Sequence, residues 1–296
     1  VSASCEIGVK IVTPITGMTF TEDAELNQLG YGQEYQIKYT LEPVDATASL
    51  LTWTSDNPEV ISVDKTGKLK VHTTKTASAV ITASYGPVVQ NVTVTVADGR
   101  FWYSLGNGLG NGLDNNWYLD GNNASVVSSD GNKTTVQMGS GYRGDLWLAR
   151  SGKGKIVNVT PADYRYFAIK VGFKSQLVPG KNKPNGCIKL EIFDDGIKKI
   201  GPEYFGTGGD ANNRYEILGA SEISTTEPNV LYYDLQSKYK TVTPTDWNQV
   251  FDLVQCKFVI ADFPETAQTY DLYWIRSFKS IEELQAFVDS ENNTNE

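Results

Sequence analysis

The chain has 296 residues, enough for two domains that each bury a core of their own. Its 26 Lys and Arg against 35 Asp and Glu leave a formal charge of −9, which argues against nucleic acid and against an anionic membrane surface as partners. A neutral, hydroxyl-rich polymer stays open, and 16 Tyr with 6 Trp supply the flat, polar-edged rings that suit one.

The chain opens at Val1 without an initiator Met, which reads as a mature or shortened sequence. Ser2-Ala3-Ser4-Cys5 is similar to a lipoprotein processing site, which implies a lipid anchor on Cys5; an ordinary thiol is the alternative. No apolar run approaches the roughly 18 residues of a membrane helix. Cys5, Cys187 and Cys256 are an odd number and define no disulfide framework. Cys187 and Cys256 sit in apolar alternating runs and read as small buried hydrophobes, with a bridge between them left open. There is no C-x-x-C and no Cys/His cluster, so zinc is not expected.

From residue 1 to about 98 short strands follow one another. Tyr35, Ile37 and Tyr39 alternate with polar residues, as do Leu51 and Trp53, Leu69 and Val71, Ala79 to Tyr85, and Val92 to Val96. Turn signals at Glu42-Pro43, Asp56-Asn57-Pro58, Asp64-Lys65-Thr66-Gly67 and Gly86-Pro87 separate them. That spacing predicts an immunoglobulin-like sandwich with Trp53 in its core. The only histidine, His72, is expected at the surface of a strand. Leu41-Glu42-Pro43-Val44-Asp45-Ala46, Trp53-Thr54-Ser55-Asp56-Asn57-Pro58 and Val63-Asp64-Lys65-Thr66-Gly67 come in the order of a P-x-x-A, a W-x-S-x-x-P and a V-D-x-x-G. In these motifs the segment resembles the group 2 bacterial Ig-like domain. The resemblance implies an exported, cell-surface spacer or adhesive module.

Ala97-Asp98-Gly99-Arg100 reads as a short polar linker, and residues 99–296 as a second β-domain holding five of the six tryptophans. Its candidate strands are Trp117–Leu119, Thr134–Met138, Asp145–Arg150, Tyr164–Phe173, Ile188–Phe193, Val230–Leu235, Val254–Ile260 and Tyr270–Ser277. About eight strands with long polar loops predict a jelly-roll sandwich, so the chain as a whole is expected to be all-β. Ser280-Ile281-Glu282-Glu283 is a capping box that opens a short amphipathic helix on Ile281, Leu284, Phe287 and Val288, with disorder expected after it. The closing run Tyr273 to Leu284 resembles the last strand and helix of galactose-binding-like jelly rolls, which follow Ig-like domains in the polysaccharide-utilisation proteins of gut anaerobes. The resemblance implies glycan binding without turnover at the outer surface of a Gram-negative cell, alongside an outer-membrane glycan transporter.

The best candidate ligand site is Tyr142-Arg143-Gly144-Asp145-Leu146-Trp147-Leu148. With Leu146 and Leu148 on the core, alternation places Arg143, Asp145 and Trp147 together on the opposite face, where an exposed indole beside a charged pair suits a sugar. Trp102 and Trp117 flank the Gly-rich loop Gly106–Gly112; Trp117 is a further ligand candidate, and Trp102 is open to domain packing or to stacking. On the last strand Trp274 and Arg276 share one parity and Tyr273 and Ile275 the other, with Trp274 preferred for the core. Asp120-Gly121-Asn122-Asn123 and Asp130-Gly131-Asn132 could supply oxygens to a structural calcium, but hairpin turns fit them better, and no other cofactor is expected. The favoured function is non-catalytic capture of polysaccharide. A glycoside hydrolase module would need an acid pair in a recognisable setting, and an adhesin or stalk would bury its aromatics.

Overall fold

A computed structural model describes residues 11–112, 116–120, 124–139, 143–149, 157–175, 188–194, 216–236, 247–261 and 268–293. Cys5, Tyr142 and Cys187 lie outside the described residues. The fold is all-β sandwich with one C-terminal helix, as the alternation predicts.

The strands of the first part are β1 (Gly17–Phe20), β2 (Leu29–Tyr31), β3 (Glu34–Gln36), β4 (Tyr39–Glu42), β5 (Thr52–Ser55), β6 (Ile61–Val63), β7 (Lys68–Val71), β8 (Ala77–Tyr85) and the long β9 (Val88–Ser104). Ile37, Leu51, Trp53, Ile61, Leu69, Ile81, Val94 and Val96 make one core. Trp53 stacks on Phe20 with ring centroids 5.7 Å apart, which is the buried role expected of it. His72 is half-buried and hydrogen-bonds Ser62 Oγ through Nε2 at 2.8 Å.

The second part holds β10 (Tyr118–Asp120), β11 (Ala124–Ser129), β12 (Thr134–Met138), β13 (Arg143–Ala149), β14 (Val157–Val159), β15 (Tyr166–Phe173), β16 (Ile188–Asp194), β17 (Glu216–Ile217), β18 (Asn229–Asp234), β19 (Phe251–Ala261), β20 (Thr269–Phe278) and α1 (Ile281–Asn293). One sheet runs β17-β18-β15-β20, and β20 then pairs with β12 along its first half and with the end of β9 along its second. The facing sheet runs β10-β13-β19, with β14 and β16 also paired to β19. Between the two, Phe167, Ile169, Leu146, Leu190, Phe258 and Ile275 bury a second, larger core. Cys256 belongs to it as a free thiol, which burial pushes well above its ordinary pKa.

The residues read as a linker are the middle of β9. Arg100 is 4% exposed there. The same strand sends Val94 and Val96 into one core and Phe101 and Tyr103 into the other. Tyr31 of β2 reaches across as well, meeting Tyr103 at 5.3 Å. Cross-ties reinforce the strand: Asn158 donates its backbone N–H to Thr74 Oγ1 at 3.0 Å, and Thr160 Oγ1 donates to the Asp98 carbonyl at 2.8 Å.

Helix α1 lies on the outer face of the β15–β20 sheet, where Leu284, Phe287 and Val288 meet Trp102, Ala168, Val230, Trp274 and Phe278. Ser280 Oγ accepts the N–H of Glu283 at 3.2 Å, as a capping box requires; Glu283 reaches back to the N–H of Lys279 at 2.6 Å. The helix continues past Val288 to Asn293, into the stretch expected to be disordered.

Candidate functional site

On β13, Leu146 and Leu148 face the core and Asp145 and Trp147 share the outer face, as alternation requires. The exposure expected of Trp147 is corrected: the indole is 7% exposed. The register sets Lys257 of β19 opposite Trp147, with its ammonium 4.4 Å from the ring centroid and 3.1 Å from Asp145 Oδ2. Tyr118 of β10 stands opposite Trp147 on the other side and is also buried. Sequence reasoning missed Lys257 and Tyr118 because cross-strand register cannot be read from one strand. Arg143 pairs through its backbone with Ala261, and Tyr142 lies outside the described residues.

Trp117 is corrected in the same way. It is fully buried, with Tyr103 and Phe258 at 6.1 and 5.6 Å, and offers no face to a ligand. Trp102 is used in packing: Phe278 and Phe287 lie at 5.6 and 5.2 Å, and the guanidiniums of Arg100 and Arg276 at 4.4 and 4.5 Å. Arg100 also bonds Glu25 at 2.8 Å and the Gln28 carbonyl. Burial lowers the Arg276 pKa to about 10, against the opposing pull of Glu291.

The side chains that do border open space are elsewhere. Where β15 pairs with β20, Lys170 faces Trp274 and Val171 faces Leu272, so Tyr273 is an extra residue in the ladder. Such a bulge re-aims the residues around it. Leu272 and Ile275 point into the sandwich core, whereas Tyr273 and Trp274 both join the cluster on the outer face. Trp274 is therefore buried as preferred, but beneath α1 rather than between the sheets. Leu105 donates its N–H to the Tyr273 carbonyl at 2.8 Å and fixes the bulge.

The half-buried Tyr273 forms one wall of a groove of about 720 Å³. Lys170, Glu227, Pro228, Val230 and Asn132 also line it, together with Val288, Glu291 and Asn292 of α1. Asn132 is held by a tight turn in which Asp130 Oδ1 accepts the N–H groups of Asn132 and Lys133, both at 2.9 Å. The turn is held in turn by the Gly-rich loop: a Cβ on Gly106 would fall 2.2 Å from the Gly131 carbonyl oxygen, so only glycine allows this approach. Asp130 thus serves the hairpin foreseen for it, and Gly121 to Asn123 of the other calcium candidate lie outside the described residues. Among the described residues no cluster of three or more His, Cys, Asp or Glu side chains is placed to hold a metal ion.

Polar groups in the groove are held in place. Glu291 Oε2 accepts from Lys170 Nζ at 3.1 Å and from Trp274 Nε1 at 3.0 Å, and its other oxygen is 3.8 Å from Arg276. The Lys170 ammonium is 5.6 Å from the Tyr273 ring centroid. Burial raises the Tyr273 hydroxyl above its ordinary range, so the phenol stays neutral and can donate. Beside the groove Lys133 bonds Asp271 at 2.7 Å; burial opposes ionisation of Asp271, but Lys133 and Thr135 together outweigh it and hold the carboxyl below its usual value.

Residues 108–284 match the sequence profile of a family described as a domain of unknown function (DUF4979). The chain belongs to that family. The DUF4979 match takes in Asn132, Lys170, Glu227 and Tyr273 and stops within α1, before Glu291 and Asn292. No curated protein matches the chain. Among solved structures, the CBM51-2 and INT domains of Clostridium perfringens ZmpB align at 12% identity and a TM-score of 0.21, over 87% of this chain and 48% of that one. The chain thus spans about half the length of that structure. Among the described residues no helix is long and apolar enough to cross a membrane.

Proposed function

We propose that this chain is a non-catalytic polysaccharide-binding protein, and that the groove beside Tyr273 takes the sugar. The observation that carries the reading is the bulge in β20, which presents an aromatic ring to solvent beside Lys170, Glu227, Asn132 and Asn292. A phenol wall with fixed donors and acceptors is what an amphipathic sugar ring requires: the ring's apolar face packs on the aromatic and its hydroxyls meet the polar groups. In this reading residues 1–98 are an Ig-like spacer and residues 99–296 the binding domain. The protein is lipid-anchored at the surface of a Gram-negative cell and hands glycan to an outer-membrane transporter. The motif resemblances of both halves and the acidic charge support that setting.

A hydrolase reading has one observation in its favour, since Glu227 and Glu291 both border the groove. Glu291 is already committed to Lys170 and Trp274, which suits a binding group better than an acid that must exchange protons with substrate. The test is affinity electrophoresis of the full chain in gels containing neutral polysaccharides. Tyr273→Ala should weaken retardation roughly thirtyfold, as loss of an aromatic anchor of about 2 kcal/mol implies, with little change in melting temperature. Retardation untouched by the substitution would move the site elsewhere. Steady release of reducing ends that disappears in Glu227→Gln would replace binding by hydrolysis.

A further inference from the structure

We infer that the groove recognises a vicinal diol, so that its ligand is a neutral polysaccharide whose rings keep two adjacent hydroxyls free. The inference rests on the binding reading above and names the chemistry that the same groove selects. Lys170 Nζ and Glu291 Oε2 stand 3.1 Å apart at the wall of the groove. An ammonium only donates and a carboxylate only accepts. Two hydroxyls on neighbouring ring carbons meet both demands at once: one accepts from Lys170 while the other donates to Glu291. A ring with one isolated hydroxyl answers half of the pair and desolvates the other half without return.

The pair is prepared for this before a ligand arrives. Trp274 Nε1–H anchors the carboxylate from beneath, and the buried Arg276 adds charge behind it. The two side chains are only 16% and 23% exposed, so little rotamer freedom remains to be lost on binding. A carboxylate offers about four lone-pair sites and an ammonium three donors, so both group types can bond more than one partner at once. Charge sets the second limit. Glu227 and Glu291 face the single cation Lys170 among the groove residues, and the neighbouring Lys133 is tied to Asp271. A uronate or sulfate would bring like charge into this wall.

The experiment uses the full chain in affinity gels holding galactomannan, xyloglucan, glycogen or dextran. In all four most rings carry neighbouring free hydroxyls. A three-linked β-glucan, whose internal rings lack them, and polygalacturonate, which has them together with a carboxylate, complete the panel. At least one of the first four should retard the protein. Treating that polymer with periodate and then borohydride, which destroys adjacent diols, should abolish retardation. The three-linked glucan and polygalacturonate should bind at least about tenfold more weakly. Lys170→Met and Glu291→Gln should each weaken binding about tenfold; Glu291→Gln keeps an oxygen for Trp274, and an unchanged melting temperature verifies that α1 stays docked. Retardation that survives periodate, or a preference for the three-linked glucan or the uronan, overturns the diol inference while leaving groove binding intact if Tyr273→Ala still removes it. Failure of every polymer to retard the chain overturns the binding reading itself.

Discussion

Single side chains divide here by what covers them. Trp147 is shielded, with a buried ammonium over its ring and Asp145 closing the ion pair. Trp147→Ala should therefore lower stability by about 3 kcal/mol or more in denaturant unfolding, the usual range for emptying a buried aromatic site. A loss under about 0.5 kcal/mol would show that the indole is exposed in solution after all. Asp23 responds to acid. The Tyr35 hydroxyl at 2.6 Å, the Glu25 backbone N–H and Lys38 hold its pKa at about 2, against about 4 in an unfolded chain. A carboxyl depressed on folding adds stability that is present above the unfolded value and is lost as pH falls through the folded one. Between about pH 4 and 2 the wild type should lose more melting temperature than Asp23→Asn, whose side chain does not titrate; parallel curves would remove Asp23 from the acid response.

At the scale of elements, α1 decides how much of the outer sheet face is wet. It covers Trp274 and Phe278 and lines part of the groove. Removing its cap with Ser280→Ala should lower stability by about 1 kcal/mol in denaturant unfolding, and no change would show that the Glu283–Lys279 bond suffices. Strand existence was legible in the sequence: β12, β15, β16, β18 and β20 fall where period-two alternation of Val, Ile, Phe and Tyr places them. The short β14 and β17 were not legible, because two or three residues cannot show a period. Of the predicted site, the sharing of one face by Asp145 and Trp147 was legible and the burial of that face was not. Alternation assigns a side of a sheet; it says nothing about what packs on it. Tyr273 escaped because a bulge breaks the very periodicity used to find inward and outward residues.

Across the whole molecule, β9 makes the two cores neighbours on one strand. Expressed alone, residues 101–296 would lose the Tyr31 contacts, the Arg100 guanidinium at Trp102 and the Gly99 carbonyl that accepts from Ser277 Oγ. That fragment should melt several degrees below the full chain in calorimetry, and an equal melting temperature would show that the shared strand adds nothing to the second core. The continuity of β9 also matters when the protein is pulled. In the proposed binding role the pull of a polymer beside Tyr273 would enter through β20, which is laced to the end of β9 through Trp102, Tyr103 and Ser104. The start of β9 is laced to β8 over nine paired residues. Such a load would pass from β20 toward β8 through the single continuous strand β9. In the proposed capture role the part that joins the two cores is a paired strand and not a loose tether.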